Sequence, residues 1–176
     1  RVLVAESGTR EHGHWETDRT PYLRAIMDDL SVHSPARHVV LMKGAQIGAS
    51  ETLLNFVGYV IHVAPGPLMY VNPTIELSED ASKDRVTPMI EAIPELAALV
   101  REKRSRASGN TILEKKFRGG FLKLSGANSA ASLRSKPIRF LVRDEIDAYP
   151  DDVDGEGDPL ALSEARTNTF PRTRKI

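Results

Sequence analysis

The segment from residue 38 to residue 61 joins a short apolar run to an amphipathic helical repeat through a glycine-containing turn. The run His38-Val39-Val40-Leu41-Met42 is β-branched at its centre, which predicts a buried strand. The apolar residues after the turn recur at the spacing of one helical face, at positions 53, 56, 57, 60 and 61. A strand that leads through a short turn into a helix is the repeating unit of α/β folds.

The remaining sequence continues this alternation. Further strands are predicted over residues 67–71, 111–117, 121–124 and 138–142, with a hairpin turn at Arg118-Gly119-Gly120. A helical pattern begins at Thr74, is interrupted at Pro88 and Pro94, and ends near Val100. We therefore expect an α/β fold whose sheet is largely parallel and carries an antiparallel hairpin insertion.

The start of the chain differs from the rest in composition. Residues 1–19, with two glycines and mixed charge, predict an irregular N-terminal arm, and residues 20–176 predict one domain. Thr20 is expected to cap a helix that has Pro21 at its first position. The apolar face of that helix comprises Leu23, Ile26, Met27 and Leu30.

Composition limits the classes of function. The 176 residues include no cysteine, which excludes disulfides, thiolate catalysis and cysteine-ligated zinc. No apolar run approaches the roughly 18–20 residues of a membrane span, and the first residue is not methionine. We therefore expect a soluble fragment of a longer chain, with no membrane partner.

Charge is balanced overall, with 24 basic and 24 acidic residues, but it is segregated along the sequence. Residues 101–118 contain seven basic and two acidic side chains, whereas residues 144–158 contain eight acidic side chains and no basic one. Charge runs are usually solvated faces. Two opposed blocks in a neutral chain also fit a basic block that faces a polyanion and an acidic block that faces a metal ion.

The turn after the first predicted strand is a candidate phosphate-binding loop. A helix N-terminus exposes unpaired backbone N–H groups, and phosphate loops use them in the pattern G-x-x-x-x-G-K-[ST]. Residues 43–50 place Gly48 and Ser50 correctly, but Ala49 holds the usual lysine position and Lys43 stands at the first position. An ordinary strand-to-helix turn would give the same residues.

A second constellation follows the strand predicted over residues 138–142. Asp144 and Glu145 come directly after it, at the edge where α/β folds bind ligands. The first carboxylate can hold Mg²⁺ and the second can orient a water molecule for attack on a γ-phosphate. The loop about 95 residues upstream supplies the phosphate cradle that this pair lacks.

Two further side chains have two interpretations each. Tyr22, after Pro21, could stack on a nucleotide base or could be a half-buried aromatic residue of an entry helix. Arg134 could act as an arginine finger on a transferring phosphoryl group or could be a surface arginine.

Taken together, these residues resemble the ATPase domain of lambda-type large terminase subunits, the DNA-packaging motors of tailed phages and prophages. The resemblance covers about residues 13 to 176. Its central segments are Lys43–Glu51 and Asp144–Pro150. The other matching segments are Pro21-Tyr22-Leu23, residues 71–74, residues 126–133, residues 155–159 and Ala165-Arg166-Thr167.

The resemblance implies a P-loop NTPase fold of the ASCE (RecA-like) type and Mg-ATP hydrolysis that drives double-stranded DNA into a procapsid. It makes Lys43 the functional lysine of the loop, and it assigns Ser50 and Asp144 to the side that holds Mg²⁺. Glu145 becomes the catalytic base, with Lys43 and Arg134 as catalytic cations. The implied ATP-binding set is Tyr22, Lys43, Gly44, Ala45, Gln46, Ile47, Gly48, Ala49, Ser50 and Glu51.

The resemblance also implies an assembly. The partners would be double-stranded DNA, a terminase small subunit and the portal of the procapsid, in the cytoplasm of a host bacterium. Arg134 would act on the ATP of a neighbouring subunit in a ring, and the isolated fragment would be a monomer. The nuclease domain of the family would lie beyond Ile176, so DNA cutting is not expected of this fragment.

Two other functions fit some of the same residues. Asp144-Glu145-Ile146-Asp147 has the D-E-x-D form of helicases, which suggests another nucleic-acid-dependent NTPase. Ala49 at the usual lysine position suggests a decayed module that binds nucleotide or DNA without hydrolysis.

Overall fold

The computed structural model describes residues 2–3, 13–44, 46–100, 110–171 and 173–176. The helices are α1 (Leu23–Leu30), α2 (Ala49–His62), α3 (Ile75–Asp80), α4 (Thr87–Ala92), α5 (Pro94–Leu99), α6 (Ala130–Leu133) and α7 (Pro159–Ala165). The strands are β1 (Val2–Leu3), β2 (Gly13–His14), β3 (Leu68–Asn72), β4 (Glu114–Phe117), β5 (Gly120–Gly126), β6 (Phe140–Arg143) and β7 (Arg174–Lys175). Residues 17–19 and 146–148 form 3₁₀ turns, and residues 81–86 are π-helical.

A five-stranded sheet in the order β4-β5-β3-β6-β7 forms the centre of the molecule. Strands β5, β3, β6 and β7 run parallel, and β4 pairs with β5 in the opposite direction. The register aligns Asn72 of β3 with Gly126 of β5, and Val71 with Arg143 of β6. The carboxyl ends of three strands therefore meet at one edge, which confirms the expected α/β fold with a mostly parallel sheet and an antiparallel hairpin.

The sheet is covered on both faces. All five residues of β3 are buried, and their side chains alternate between two apolar clusters. Leu68 and Tyr70 belong to the cluster that includes residues of α2, and Met69 and Val71 belong to the cluster that includes residues of α6. This alternation is what a central strand buried between two layers requires. Within the described parts of the chain, no helix combines the length and apolar character needed to cross a bilayer.

The predicted strand over residues 38–42 is wrong as a regular buried strand. His38 forms a single parallel bridge to Lys175, and the Val39 amide donates to the Lys175 carbonyl. Val40 is 84% exposed and Met42 is fully exposed. The neighbouring strand β7 is only two residues long, so it pairs with the start of this segment, at His38 and Val39, and offers no partner to residues 40–42.

Three smaller expectations also need correction. Helix α1 begins at Leu23 and Thr20 does not cap it: among the described groups, the buried Thr20 hydroxyl has no hydrogen-bond partner. Pro88 does not interrupt the helical stretch, because it stands in the first turn of α4, where a missing N–H is tolerated. The N-terminal arm is not wholly irregular, since β1 pairs with β2 in an antiparallel ribbon.

Candidate functional site

The predicted phosphate loop leads directly into α2. Gly48, with a φ of 82°, takes the left-handed conformation at the N-terminus of the helix, and Gln46, with a φ of 58°, is also left-handed. A Cβ atom at Gly48 would lie 3.3 Å from Leu23 Cδ1, so the position favours glycine both for its backbone angle and for space. Ala45, one of the predicted loop residues, lies outside the described residues.

Asp144 contacts three side chains that are distant from it in sequence: Lys43, Ser50 and Tyr70. It follows β6 at the carboxyl edge of the sheet and is 7% exposed. The Ser50 hydroxyl donates to Asp144 Oδ2 at 3.2 Å, and Lys43 Nζ lies 3.9 Å from Asp144 Oδ1. The lysine at the first loop position and the loop serine therefore meet at the carboxylate that the sequence assigns to the metal side.

Tyr70 is a third partner of Asp144, and sequence analysis did not single it out. It is buried in β3, and its hydroxyl donates to Asp144 Oδ2 at 3.0 Å. Burial, reinforced by the neighbouring Asp144 carboxylate, raises the pKa of the Tyr70 hydroxyl well above its usual value, so it remains a proton donor. The available signal was a phenol within a buried apolar strand, since a buried hydroxyl needs a partner.

Glu145 has surroundings unlike those of Asp144. Its side chain is exposed, and its backbone takes a left-handed φ of 54° as the chain enters the 3₁₀ turn of residues 146–148. Such a conformation is costly for a residue other than glycine. The neighbouring Tyr149 hydroxyl donates to the Val71 carbonyl at 2.9 Å and so ties this turn to the central strand. Burial raises the pKa of Tyr149, which keeps that hydroxyl protonated.

A cleft of about 630 Å³ adjoins the site at the carboxyl edge of the sheet. Lys43, Ala49, Asp144 and Glu145 line it, together with the segment of residues 38–42 and the end of β7. Gly48 and Ser50 do not line it, so the cleft lies beside the phosphate loop rather than over it. The arrangement leaves Glu145 open to a water molecule and leaves room next to Ala49.

Tyr22 and Glu51, both predicted to contact nucleotide, have different positions. The Tyr22 hydroxyl donates to the Ile47 carbonyl at 3.0 Å, and its ring stays 55% exposed. An aromatic face is thus held open beside the phosphate loop.

Glu51 is 8% exposed and turns toward Arg85 of the π-helical segment, with its Oε1 3.4 Å from Arg85 Nη2. Its carboxylate contacts that segment and does not line the cleft.

Arg134 lies at the end of α6, is exposed, and does not line the cleft. Its guanidinium forms an ion pair with Glu156, and its carbonyl accepts a hydrogen bond from Arg166 Nη1 at 3.2 Å. Exposure fits both interpretations of this residue, the surface arginine and the arginine finger. The ion pair was not predicted, and it gives the arginine a local partner.

Several side chains in the described parts of the two charge blocks have local partners. Beyond Asp144 and Glu145, the acidic block forms a loop with local partners: Asp152 accepts from the Gly155 and Gly157 amides, and Asp154 accepts from the Ala130 amide. In the basic block, Lys115 is buried and donates to the Thr111 and Ile112 carbonyls. Residues 101–109 lie outside the described residues.

The residues present fit a magnesium ion. Mg²⁺ prefers oxygen ligands and is usually held by one or two protein groups together with substrate phosphates and water. Ser50 Oγ and Asp144 Oδ2 supply such oxygens side by side. In the described parts of the chain, no three His, Asp or Glu side chains cluster in a way that could hold a metal ion. Two neighbouring protein oxygens are the number that Mg²⁺ takes when substrate phosphates complete its coordination.

Comparisons with known proteins agree with this geometry. Residues 9–176 match the family described as phage terminase large subunit gpA, ATPase domain. The chain is 35% identical over 167 residues to the terminase large subunit of Escherichia phage lambda and 32% identical over 157 residues to that of Enterobacteria phage P21. These alignments cover 93% and 88% of the chain, but only 25% and 24% of the relatives.

Solved structures show the same fold. The ATPase domain of the large terminase of Thermus phage P74-26 aligns with a TM-score of 0.55 at 19% identity, over 98% of this chain and 66% of that one. The large terminase of the thermophilic bacteriophage D6E aligns with a TM-score of 0.51 at 13% identity, over 85% of this chain and 36% of that one. The chain thus has the P-loop fold of terminase ATPase domains and belongs to the family of phage terminase large subunit gpA ATPase domains.

Proposed function

We propose that this chain binds Mg-ATP and hydrolyses it to drive the translocation of double-stranded DNA into a procapsid. The proposal rests on one observation. Lys43 and Ser50 both contact the buried carboxylate of Asp144, beside a helix N-terminus and the exposed Glu145. A phosphate cradle, a pair of metal-binding oxygens and a candidate base therefore lie within one site. Phosphoryl transfer depends mainly on such positioning and charge stabilisation.

The proposed roles follow from these surroundings. The backbone amides at the start of α2 and the Lys43 ammonium bind the phosphates, and Ser50 and Asp144 hold Mg²⁺. When bound, Mg²⁺ neutralises charge on the phosphate oxygens. Tyr22 offers its exposed ring to the base. Among the predicted nucleotide contacts, Glu51 is the one that the geometry supports least, because its carboxylate turns toward Arg85.

Glu145 is the proposed general base. Its carboxylate orients a water molecule and accepts the proton that the water loses as its oxygen bonds to the γ-phosphorus. The bond from the γ-phosphorus to the bridging oxygen breaks at the same time, which releases ADP and inorganic phosphate. Asp144 cannot take this role, because it is buried and engaged by Tyr70, Ser50 and Lys43.

The test compares Glu145→Gln with Asp147→Asn, a matched control that removes another exposed carboxylate from the same turn. In the assembled intact protein, Glu145→Gln should bind ATP as the parent does and lose hydrolysis by several orders of magnitude, because both base catalysis and water positioning are lost. Asp147→Asn should hydrolyse ATP at about the parental rate. Nucleotide binding and phosphate release are the measurements.

Parental hydrolysis in Glu145→Gln would contradict the proposed mechanism. A parent chain that binds ATP without hydrolysing it, in the isolated state and in the intact protein, would favour the decayed module that Ala49 suggested. The motor role adds a further requirement: in the intact protein, double-stranded DNA should stimulate ATP hydrolysis, and packaging should need a small subunit and a procapsid portal.

A further inference from the structure

The hydroxyl of Tyr70 occupies an unusual place for a polar group. Tyr70 is in the centre of β3, paired with Leu124 of β5 on one side and Val142 of β6 on the other, and it is 4% exposed. Its ring packs in the larger apolar cluster, where a phenylalanine ring would fill the same space. The one group that distinguishes tyrosine from phenylalanine reaches Asp144 Oδ2 at 3.0 Å.

The two oxygens of Asp144 have different partners. Oδ2 accepts hydrogen bonds from both Tyr70 and Ser50, whereas Oδ1 faces Lys43 Nζ at 3.9 Å. Hydrogen bonds to an ionised carboxylate are stronger than those between neutral groups, so two donors on one oxygen oppose rotation of the carboxylate. Ser50 is itself in the loop that meets the nucleotide, so Tyr70 is the donor anchored in the rigid sheet.

We infer that Tyr70 is a positioning residue that fixes the orientation of Asp144 from the central strand and thereby sets the Mg²⁺ concentration that nucleotide binding requires. The inference rests on the proposed function, because it assigns Asp144 to the metal side. Groups that orient a metal-side residue commonly change metal affinity by about 10-fold or more when they are removed. Tyr70 contacts neither metal nor nucleotide and acts only through Asp144.

Tyr149 provides a matched control. It also has a hydroxyl at the carboxyl edge of the sheet, but that hydroxyl donates to the Val71 carbonyl, at 2.9 Å, and not to Asp144. Tyr149→Phe therefore removes one hydrogen bond of the central strand and leaves the donors to Asp144 intact. Any general loosening of the sheet edge should affect both phenylalanine variants, whereas an effect through Asp144 should appear only in Tyr70→Phe.

The experiment measures binding of a non-hydrolysable ATP analogue to the chain at a series of Mg²⁺ concentrations. Tyr70→Phe should need about 10-fold more Mg²⁺ for half-maximal binding. Tyr149→Phe should match the parent. Thermal unfolding midpoints, measured in parallel without Mg²⁺ or nucleotide, should fall in both variants, because each loses one hydrogen bond, and further in Tyr70→Phe, whose acceptor is a buried carboxylate. In the intact protein, saturating Mg²⁺ should restore most of the hydrolysis rate of Tyr70→Phe.

An unchanged Mg²⁺ dependence in Tyr70→Phe would overturn the inference, and so would an equal shift in both variants, which would show a merely structural role. These outcomes leave the proposed function standing, since the parent still binds the analogue with Mg²⁺. Failure of the parent to bind the analogue at any Mg²⁺ concentration would instead refute the proposed function and this inference with it.

Discussion

Lys43 stands six positions before Ala49, the place where a phosphate loop usually has its lysine, and it nevertheless reaches the site. Its ammonium lies 3.9 Å from Asp144 Oδ1, so the charge is available where phosphates would be bound. A lysine at the first loop position can serve because its ammonium reaches the same carboxylate that Ser50, in the first turn of α2, contacts. The sequence pattern alone could not show this, since a phosphate-loop pattern does not say how far the side chain at its first position reaches.

Lys43→Ala should weaken ATP binding by about 30-fold or more, because removal of one partner of a charged contact commonly costs about 2 kcal/mol or more. Lys83→Ala is the control, since Lys83 is on the π-helical segment and pairs with Glu79 at 3.3 Å. Equilibrium titration with ATP is the measurement. If Lys43→Ala bound ATP with parental affinity, Lys43 would not be the lysine that serves the phosphate loop.

Ala49→Lys should be tolerated, because Ala49 lines the open cleft.

At the scale of the element, the junction between the loop and α2 depends on glycine at Gly48. A left-handed backbone angle costs a residue with a side chain about 1–2 kcal/mol, and here a Cβ atom would also press on Leu23 of α1. The same junction aims the first amides of α2 at the site. Its geometry therefore serves both the stability of the α1–α2 contact and the binding of an anion.

Gly48→Ala should lower the free energy of unfolding by about 1–2 kcal/mol and should also weaken ATP binding. Gly58→Ala is the control within the same helix. A Cβ atom there would lie 3.6 Å from Leu96 Cδ1, an ordinary contact, and the substitution should be neutral or stabilise by up to about 1 kcal/mol. Chemical denaturation followed by circular dichroism is the measurement. Equal stability of the two variants would show that the left-handed conformation at Gly48 is not required.

Another element-scale feature was not evident from the sequence. The helical stretch of residues 75–92 changes to π-helical hydrogen bonding over residues 81–86, and Arg85 of that segment pairs with Glu51 of α2. Ser82 of the same segment accepts a hydrogen bond from the buried Lys115 of β4 at 3.0 Å. The segment therefore contacts both the phosphate-loop helix and the hairpin. Periodicity predicted the helix, but side-chain pairing across elements is not encoded in periodicity.

At the scale of the whole molecule, Arg134 and Glu145 belong to different regions. Glu145 lines the cleft, whereas Arg134 is exposed near α6 and pairs with Glu156. We therefore expect Arg134 to complete the site of a neighbouring subunit after it leaves Glu156. A fixed guanidinium on a transferring phosphoryl group is worth about 10³–10⁵ in rate, so the isolated chain should be a monomer with slow or undetectable hydrolysis.

In the assembled intact protein, Arg134→Ala should reduce hydrolysis by about 10³-fold or more without weakening ATP binding. Mixing Arg134→Ala subunits with Glu145→Gln subunits should restore part of the activity, because one subunit supplies the arginine and the other the base. Arg139→Ala serves as the control: its guanidinium packs over the Phe140 ring, 4.9 Å from the ring centroid. If the mixture were no more active than its components, the two residues would not act across a shared boundary.

Strands β3 to β6, the buried face of α2 and the carboxylates after β6 could be predicted from the sequence, because each depends on local periodicity and on residues adjacent in the chain. The short elements α6, α7 and β7 were not predicted, because two to seven residues carry too little pattern. The resemblance placed Ser50 and Asp144 on the same side of the site, but the tertiary structure alone decided that Tyr70 also meets Asp144. Tyr70 lies 74 residues away from it and is placed by the register of β3 against β6, and Ser50 lies 94 residues away and is placed by the position of α2. It also decided that residues 38–42 remain mostly unpaired, since a strand needs a partner of matching length as well as an apolar sequence.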